Sequence, residues 1–344
     1  MPYVAKTLGK KLDKKAKDQA LMPQILRMLE AQSSDSLESA RKRLSMIGIK
    51  DEKACESIKF YANNWNDFIH PSILSLSSDA VSKRSPIITD LQIMVLFLTA
   101  AMDIHDDVMD MSKEKNGKRT LYGKFGRDVA ILVGDAILME SLFMLNSLIK
   151  SIDKKSYERI AKVVKNTLLE VGNAHLMELQ LKTRTKILPQ EILDLIEKKA
   201  AIFEGISEIG AVAGKGSNDQ INALKTSARS FGYLVMLREE FIDIFEPAEL
   251  SSRLKNEYPP LPIILSIEDP KIKEYMKTYR SKRITKKSVQ ELVELVYKNE
   301  KVINIKKEME DRMSRAILLL EQYKLNKKQT LSLVKLIKAT LEDL

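Results

Sequence analysis

The chain has 344 residues with only 12 glycines and 10 prolines and no Pro/Gly/Ser-rich stretch, so one helical domain over 1–344 is expected, with few turns and no linker. A single cysteine, Cys55, excludes an intrachain disulfide and a thiolate metal centre. The net charge of +10 is spread along the chain, with clusters at Lys10–Lys17 and Arg280–Lys287 but no aromatic-interleaved basic motif, which argues against nucleic acid as a partner.

The first 17 residues lack the apolar core of a signal peptide. The best apolar run, Leu91–Met102, is shorter than the roughly 20 residues a spanning helix needs. No transmembrane segment and a cytoplasmic location are therefore expected. From Ile87 to Ile104 the sequence is almost continuously apolar, which predicts a helix buried on most sides. Asp128–Leu148 repeats that pattern, with Asp135 and Glu140 set inside it. Ser156–Lys182, Pro189–Val212 and Asn222–Phe245 read as further amphipathic helices. Tyr258-Pro259-Pro260-Leu261-Pro262 breaks the chain, and shorter helices are expected from there to Leu344. β-branched alternation is missing throughout, so the class is all-α.

Two acidic clusters follow apolar helices. Asp106 and Asp110 are four apart and share a helix face, Asp107 flanks them, and Asp103 lies one turn earlier. Glu239, Glu240 and Asp243 repeat the spacing after Phe231–Leu237. Like charges packed this closely repel unless a cation sits among them or water solvates them. Two such clusters suit a hard divalent cation such as Mg²⁺, completed by phosphate oxygens. A di-iron bundle needs Glu-x-x-His pairs, which His70, His105 and His175 do not supply. Glycine-rich phosphate loops and a Ser/His/Asp arrangement are also absent.

Asp106-Asp107-Val108-Met109-Asp110 resembles the first aspartate-rich motif, DDxxD, of the trans-prenyl diphosphate synthases. Gly117-Lys118-Arg119-Thr120 with Phe125-Gly126, then Gly134-Asp135-Ala136, then Lys198 to Gly210, resemble the segments that follow it. Phe231-Gly232 through Asp243 falls where the second DDxxD is expected. The resemblance runs over essentially the whole chain. It implies an isoprenoid synthase fold, a helical bundle around a deep apolar cavity, usually dimeric. It also implies Mg²⁺ held by both motifs on an allylic prenyl diphosphate, which ionises and is attacked by isopentenyl diphosphate. Carried over by position, Asp106, Asp107, Asp110, Glu239, Glu240 and Asp243 are metal ligands or their supports. Lys115 and Lys198 are expected on the allylic diphosphate, with Lys199, His70 and Glu178 at further substrate-binding positions. Asp106, Asp107, Asp110 and Lys198 make the expected catalytic set. Ala101 and Met102, just before the first motif, occupy chain-length positions, and the small Ala101 implies a product of geranylgeranyl size or longer.

The departures cluster. Asp67 and His70 stand where the family carries a lysine and an arginine for isopentenyl diphosphate, and Thr99 where a His or Gln contacts the same group. Asn116 replaces the second Arg of an Arg-Arg pair, and Tyr258 a late lysine. Charged hydrogen bonds contribute roughly 1.5–3 kcal/mol each, so losing several together would weaken isopentenyl diphosphate binding by orders of magnitude. Three readings remain: a prenyltransferase making a linear polyprenyl diphosphate, an impaired homologue serving as a regulatory partner of an active synthase, and an enzyme acting on the allylic diphosphate alone by cyclisation or hydrolysis. A homodimer, or a heteromer with another synthase, is expected.

Overall fold

The structure is a computed structural model that describes residues 21–81, 85–115, 117–281, 284–342 and 344. Lys10–Lys17 and Asn116 lie outside the described residues. Among those described, the regular structure is helical apart from one short antiparallel hairpin, β1 (Glu114–Lys115) with β2 (Lys118–Arg119). The all-α expectation holds.

The chain divides into two compact units. One comprises the described residues within Met1–Lys165, Gly205–Lys225 and Leu320–Ala339; the other comprises Asn166–Glu204, Thr226–Leu319 and Thr340–Leu344. The first four borders fall inside helices rather than in loops, which is why no linker composition marks them.

In the first unit, α1 (Leu21–Leu44), α2 (Glu52–Asn64) and α3 (Ile69–Val81) precede α4 (Ile88–Met109). The short α5 (Leu121–Phe125) and long α6 (Arg127–Ser147) follow the hairpin. Ile93–Ala101 of α4 is buried without interruption. A helix apolar all round must be covered all round, and α1, α3 and α6 pack against it. Each large apolar side chain buried there contributes roughly 1.5–3 kcal/mol. Polar side chains tie the layers: Ser141 donates to the Met94 carbonyl (2.9 Å) and Gln92 to the Pro71 carbonyl (3.0 Å). The helix that carries the apolar run Leu91–Met102 extends beyond it at both ends. The helix itself spans 22 residues and is long and apolar enough to cross a membrane, yet 72% of its apolar window is buried in protein, as in a core helix.

In the second unit, the end of α7 (Lys154–Lys182) leads to α8 (Pro189–Lys199) and the start of α9 (Ala201–Ala213). The expected single helix Pro189–Val212 is therefore two, separated at Ala200. The second half of α10 (Asn218–Ile242) is followed by α11 (Pro247–Asn256), α12 (Leu261–Ser266), α13 (Pro270–Ser281), α14 (Lys286–Tyr297) and most of α15 (Glu300–Gln322). The last helix, α16 (Lys327–Ala339), belongs to the first unit. Gly232 of α10 has no room for a side chain, because a Cβ would stand 2.4 Å from the Phe203 ring. Arg229 gathers Glu170, Glu197 and Glu204, and Arg312 also pairs with Glu197 at 2.8 Å. Burial works to raise the Glu197 carboxyl, but hydrogen bonds and charge from Arg312 and Arg229 prevail and hold it below its ordinary value.

Candidate functional site

The first acidic cluster sits at the C-terminal end of α4. Met111 takes a left-handed conformation (φ 53°), and the Ser112 N–H donates back to the Asp107 carbonyl at 2.9 Å. The chain thereby leaves the helix, turns at Gly117 (φ 71°), where a side chain would be strained, and forms β1–β2. This hairpin returns Lys115 onto α4, with Nζ 2.9 Å from both Asp103 and Asp107. Asp103 is half-exposed, whereas the Asp107 side chain is only 9% exposed. Burial pushes the Asp107 carboxyl up to about 7; Lys115 opposes the rise, while Asp103 and Asp106 add to it. Asp106 and Asp110 lie one turn apart at the same helix end, where exposed carbonyls already carry partial negative charge.

α6 packs against this part of α4 at Gly134, where a Cβ would come within 2.6 Å of His105 Nε2. His105 Nε2 in turn lies 3.2 Å from Asp135. Tyr61, on α2, was not anticipated from the sequence. Its hydroxyl is buried without a hydrogen bond, and burial followed by the charges of Asp103, Asp67 and Asp107 raises its pKa well above the ordinary value. Nothing local in α2 marks it; only the packing of α2 brings it near the α4 acids.

Asp67 and His70 are joined at the start of α3. One Asp67 oxygen accepts the N–H groups of Ile69 and His70, both at 3.2 Å, in the manner of an N-terminal helix cap. The other lies 2.7 Å from His70 Nδ1 and accepts the Thr99 hydroxyl at 3.1 Å. Burial would raise the Asp67 carboxyl, but the charge and hydrogen bonds of His70 outweigh it and hold the pKa below its usual range. The three expected departures at the isopentenyl diphosphate positions, Asp67, His70 and Thr99, thus form one hydrogen-bonded polar group. Ala101 is fully buried in α4, and Met102 is half-buried.

The second cluster ends α10. Glu240 and Asp243, expected on a metal, face the guanidinium of Arg253 from α11: Nη2 lies 2.7 Å from Glu240 and Nη1 2.6 Å from Asp243. Nε of Arg253 is 2.9 Å from Glu257, and the Tyr258 ring lies 4.9 Å from the guanidinium carbon. The remaining oxygen of Glu240 accepts the Leu261 N–H (2.8 Å) at the start of α12. Glu239 is different, with Oε1 buried and without a hydrogen bond. Burial pushes the Asp243 carboxyl up to about 7; Arg253 opposes this, and Glu240 and Glu239 reinforce it. Lys199 pairs with the buried Glu178 at 2.6 Å, joining two expected substrate-binding residues, while Lys198 is half-buried in the last turn of α8.

The two acidic ends differ in their fit to a divalent cation. At α4, four aspartates gather at a helix C-terminus and Lys115 pairs with two of them, Asp103 and Asp107; these hard oxygen donors fit Mg²⁺. At α10, Glu240 and Asp243 already hold an arginine and do not fit as open ligands.

Residues 68–296 match the polyprenyl synthetase family model, and the chain belongs to that family. It is 22% identical over 210 residues to a geranylgeranyl diphosphate synthase of Methanosarcina mazei, a match covering 60% of this chain and 63% of that one. It is 32% identical over 155 residues to the Arabidopsis thaliana heterodimeric geranylgeranyl pyrophosphate synthase large subunit 1, covering 41% and 40%. The matched stretch therefore spans about two fifths to two thirds of these relatives. The fold is that of the geranylgeranyl pyrophosphate synthetase of Pyrococcus horikoshii Ot3, with TM-score 0.78, 20% identity and coverage of 95% and 100%.

Proposed function

We propose that this chain is a cytoplasmic, Mg²⁺-dependent prenyltransferase that joins an allylic diphosphate to isopentenyl diphosphate and yields a linear polyprenyl diphosphate of geranylgeranyl size or longer. The observation that carries the reading is the acid-rich end of α4, where Asp103, Asp106, Asp107 and Asp110 terminate a buried apolar helix. Mg²⁺ held by Asp106, Asp107 and Asp110 would supply charge neutralisation for the departing diphosphate. Lys198, at the end of α8, is assigned to the allylic diphosphate. Lys115, already on Asp107, fixes the orientation of the aspartates. The continuous apolar burial of α4 supports a water-excluding wall beside the reacting carbon.

One observation favours a second reading. The Asp67–His70–Thr99 group puts a half-buried carboxylate where the resemblance expects cations for isopentenyl diphosphate. A chain so built would act on the allylic diphosphate alone, or would serve as a partner subunit of an active synthase. α6 supports association of either kind: Leu132, Met139 and Phe143, spaced to share one helix face, are 68%, 53% and 70% exposed.

The test incubates the protein with Mg²⁺, isopentenyl diphosphate and each allylic diphosphate in turn, with every product identified. Elongated products, lost in Asp106→Ala, are expected. Diphosphate release without elongation would move the assignment to the single-substrate enzyme. No turnover would leave only the partner-subunit role.

A further inference from the structure

The ends of α4 and α10 pose one electrostatic problem. Each sets three acids at i, i+1 and i+4 on a helix C-terminus: Asp106, Asp107 and Asp110 on one, Glu239, Glu240 and Asp243 on the other. Anionic side chains are unfavourable there, so each end calls for a cation. At α4 the cation from the chain is Lys115, 39% exposed and paired with Asp103 and Asp107.

At α10 the cation is built in and more completely enclosed. The Arg253 side chain is 10% exposed and has a carboxylate oxygen within 3 Å of each of its three nitrogens, from Glu240, Asp243 and Glu257. Its two terminal nitrogens donate charge-assisted hydrogen bonds to Asp243 and Glu240, while Glu257 stands beside Nε as a nearby charge without a hydrogen bond. Glu240 has no oxygen left over, because its second one accepts the Leu261 N–H. Tyr258 lies against the guanidinium and covers it further. A divalent ion entering here would have to displace a delocalised cation from a buried site.

We propose that Arg253 is the permanent counter-ion of the second acidic cluster, so that Glu240 and Asp243 take no divalent cation and instead lock α10, α11 and the start of α12 together. The comparison with the α4 end rests on the function proposed above; the assignment of Arg253 does not.

Mn²⁺ is the probe, counted by electron paramagnetic resonance in the presence of inorganic pyrophosphate, with circular dichroism confirming the fold of each variant. Asp243→Asn is expected to bind as many Mn²⁺ ions as the unaltered chain, with Kd within about twofold. Arg253→Met, which frees Glu240 and Asp243, is expected to gain one ion per chain. If Arg253→Met does not fold, Arg253→Lys is expected to stay folded and to keep the ion count of the unaltered chain. Loss of an ion in folded Asp243→Asn would overturn the proposal. Absence of Mn²⁺ from the unaltered chain would sink the metal reading of α4 while agreeing with a closed second cluster, and the gain in Arg253→Met tests that closure separately.

Discussion

At Asp106 the chemistry and the fold make separable demands. Asp106 is half-buried among like-charged neighbours at the end of α4, so its removal relieves repulsion, and Asp106→Ala is expected to leave the melting temperature within a few degrees while product formation falls at least about a hundredfold, the scale on which single electrostatic groups act in transition states. Ala101 is enclosed on all sides, and Ala101→Phe is expected to shorten the product, measured by chromatography of the dephosphorylated prenols, at the cost of overpacking by about 1–3 kcal/mol. Asp67 has a structural role that its position in the resemblance does not disclose. Its carboxyl is lower in the folded chain than in the unfolded one, so the stability it contributes is present above the ordinary aspartate value and lost as pH falls through the depressed one. Asp67→Asn is expected to flatten that acid limb of a urea-midpoint-versus-pH profile. It should cost about 1–2 kcal/mol at neutral pH, since the amide keeps part of the cap but weakens the pairing with His70.

Between elements, two glycines set how closely helices approach. A Cβ at Gly210 of α9 would stand 2.1 Å from the Leu74 carbonyl oxygen of α3, so backbone must move to admit it. At Gly134 the obstacle is a His105 ring, which can rotate. Gly210→Ala is therefore expected to lower the melting temperature more than Gly134→Ala. Arg253 joins elements by charge rather than by shape. Breaking a buried pair while leaving its partner in place typically costs about 3–5 kcal/mol, and Arg253→Met strands three carboxylates at once. Thermal unfolding should register that loss, and added Mn²⁺ should restore part of it in Arg253→Met more than in the unaltered protein.

For the whole molecule, the apolar face of α6 sets the expected assembly. Leu132 and Phe143 expose large side chains that a monomer gains nothing by presenting to water. Replacing both with glutamate is expected to halve the mass seen by light scattering without lowering the monomer's helical content. If the unaltered chain is already monomeric, an active synthase added to it becomes the partner to test. The family's helical architecture is present throughout the described chain, yet its two acidic ends are neutralised by different means, so the single motif repeated in the sequence does not imply a single role repeated in space.

The all-α class, the buried helix now bounded at Ile88 and Met109, and the first acidic cluster were legible in the sequence because each is local. Helical periodicity and an i, i+4 pair of carboxylates need only a few adjacent residues to be seen. Tertiary structure decided the partners. Lys115 reaches Asp103 only because Met111 and Gly117 reverse the chain, Tyr61 approaches the same acids only through the packing of α2, and Asp67 meets Thr99 across 32 residues. The second cluster carries the lesson furthest. Glu240 and Asp243 look like open ligands when read along the chain, and only the fold places Arg253 between them, because charge pairing depends on distance in space and the sequence records distance along the backbone.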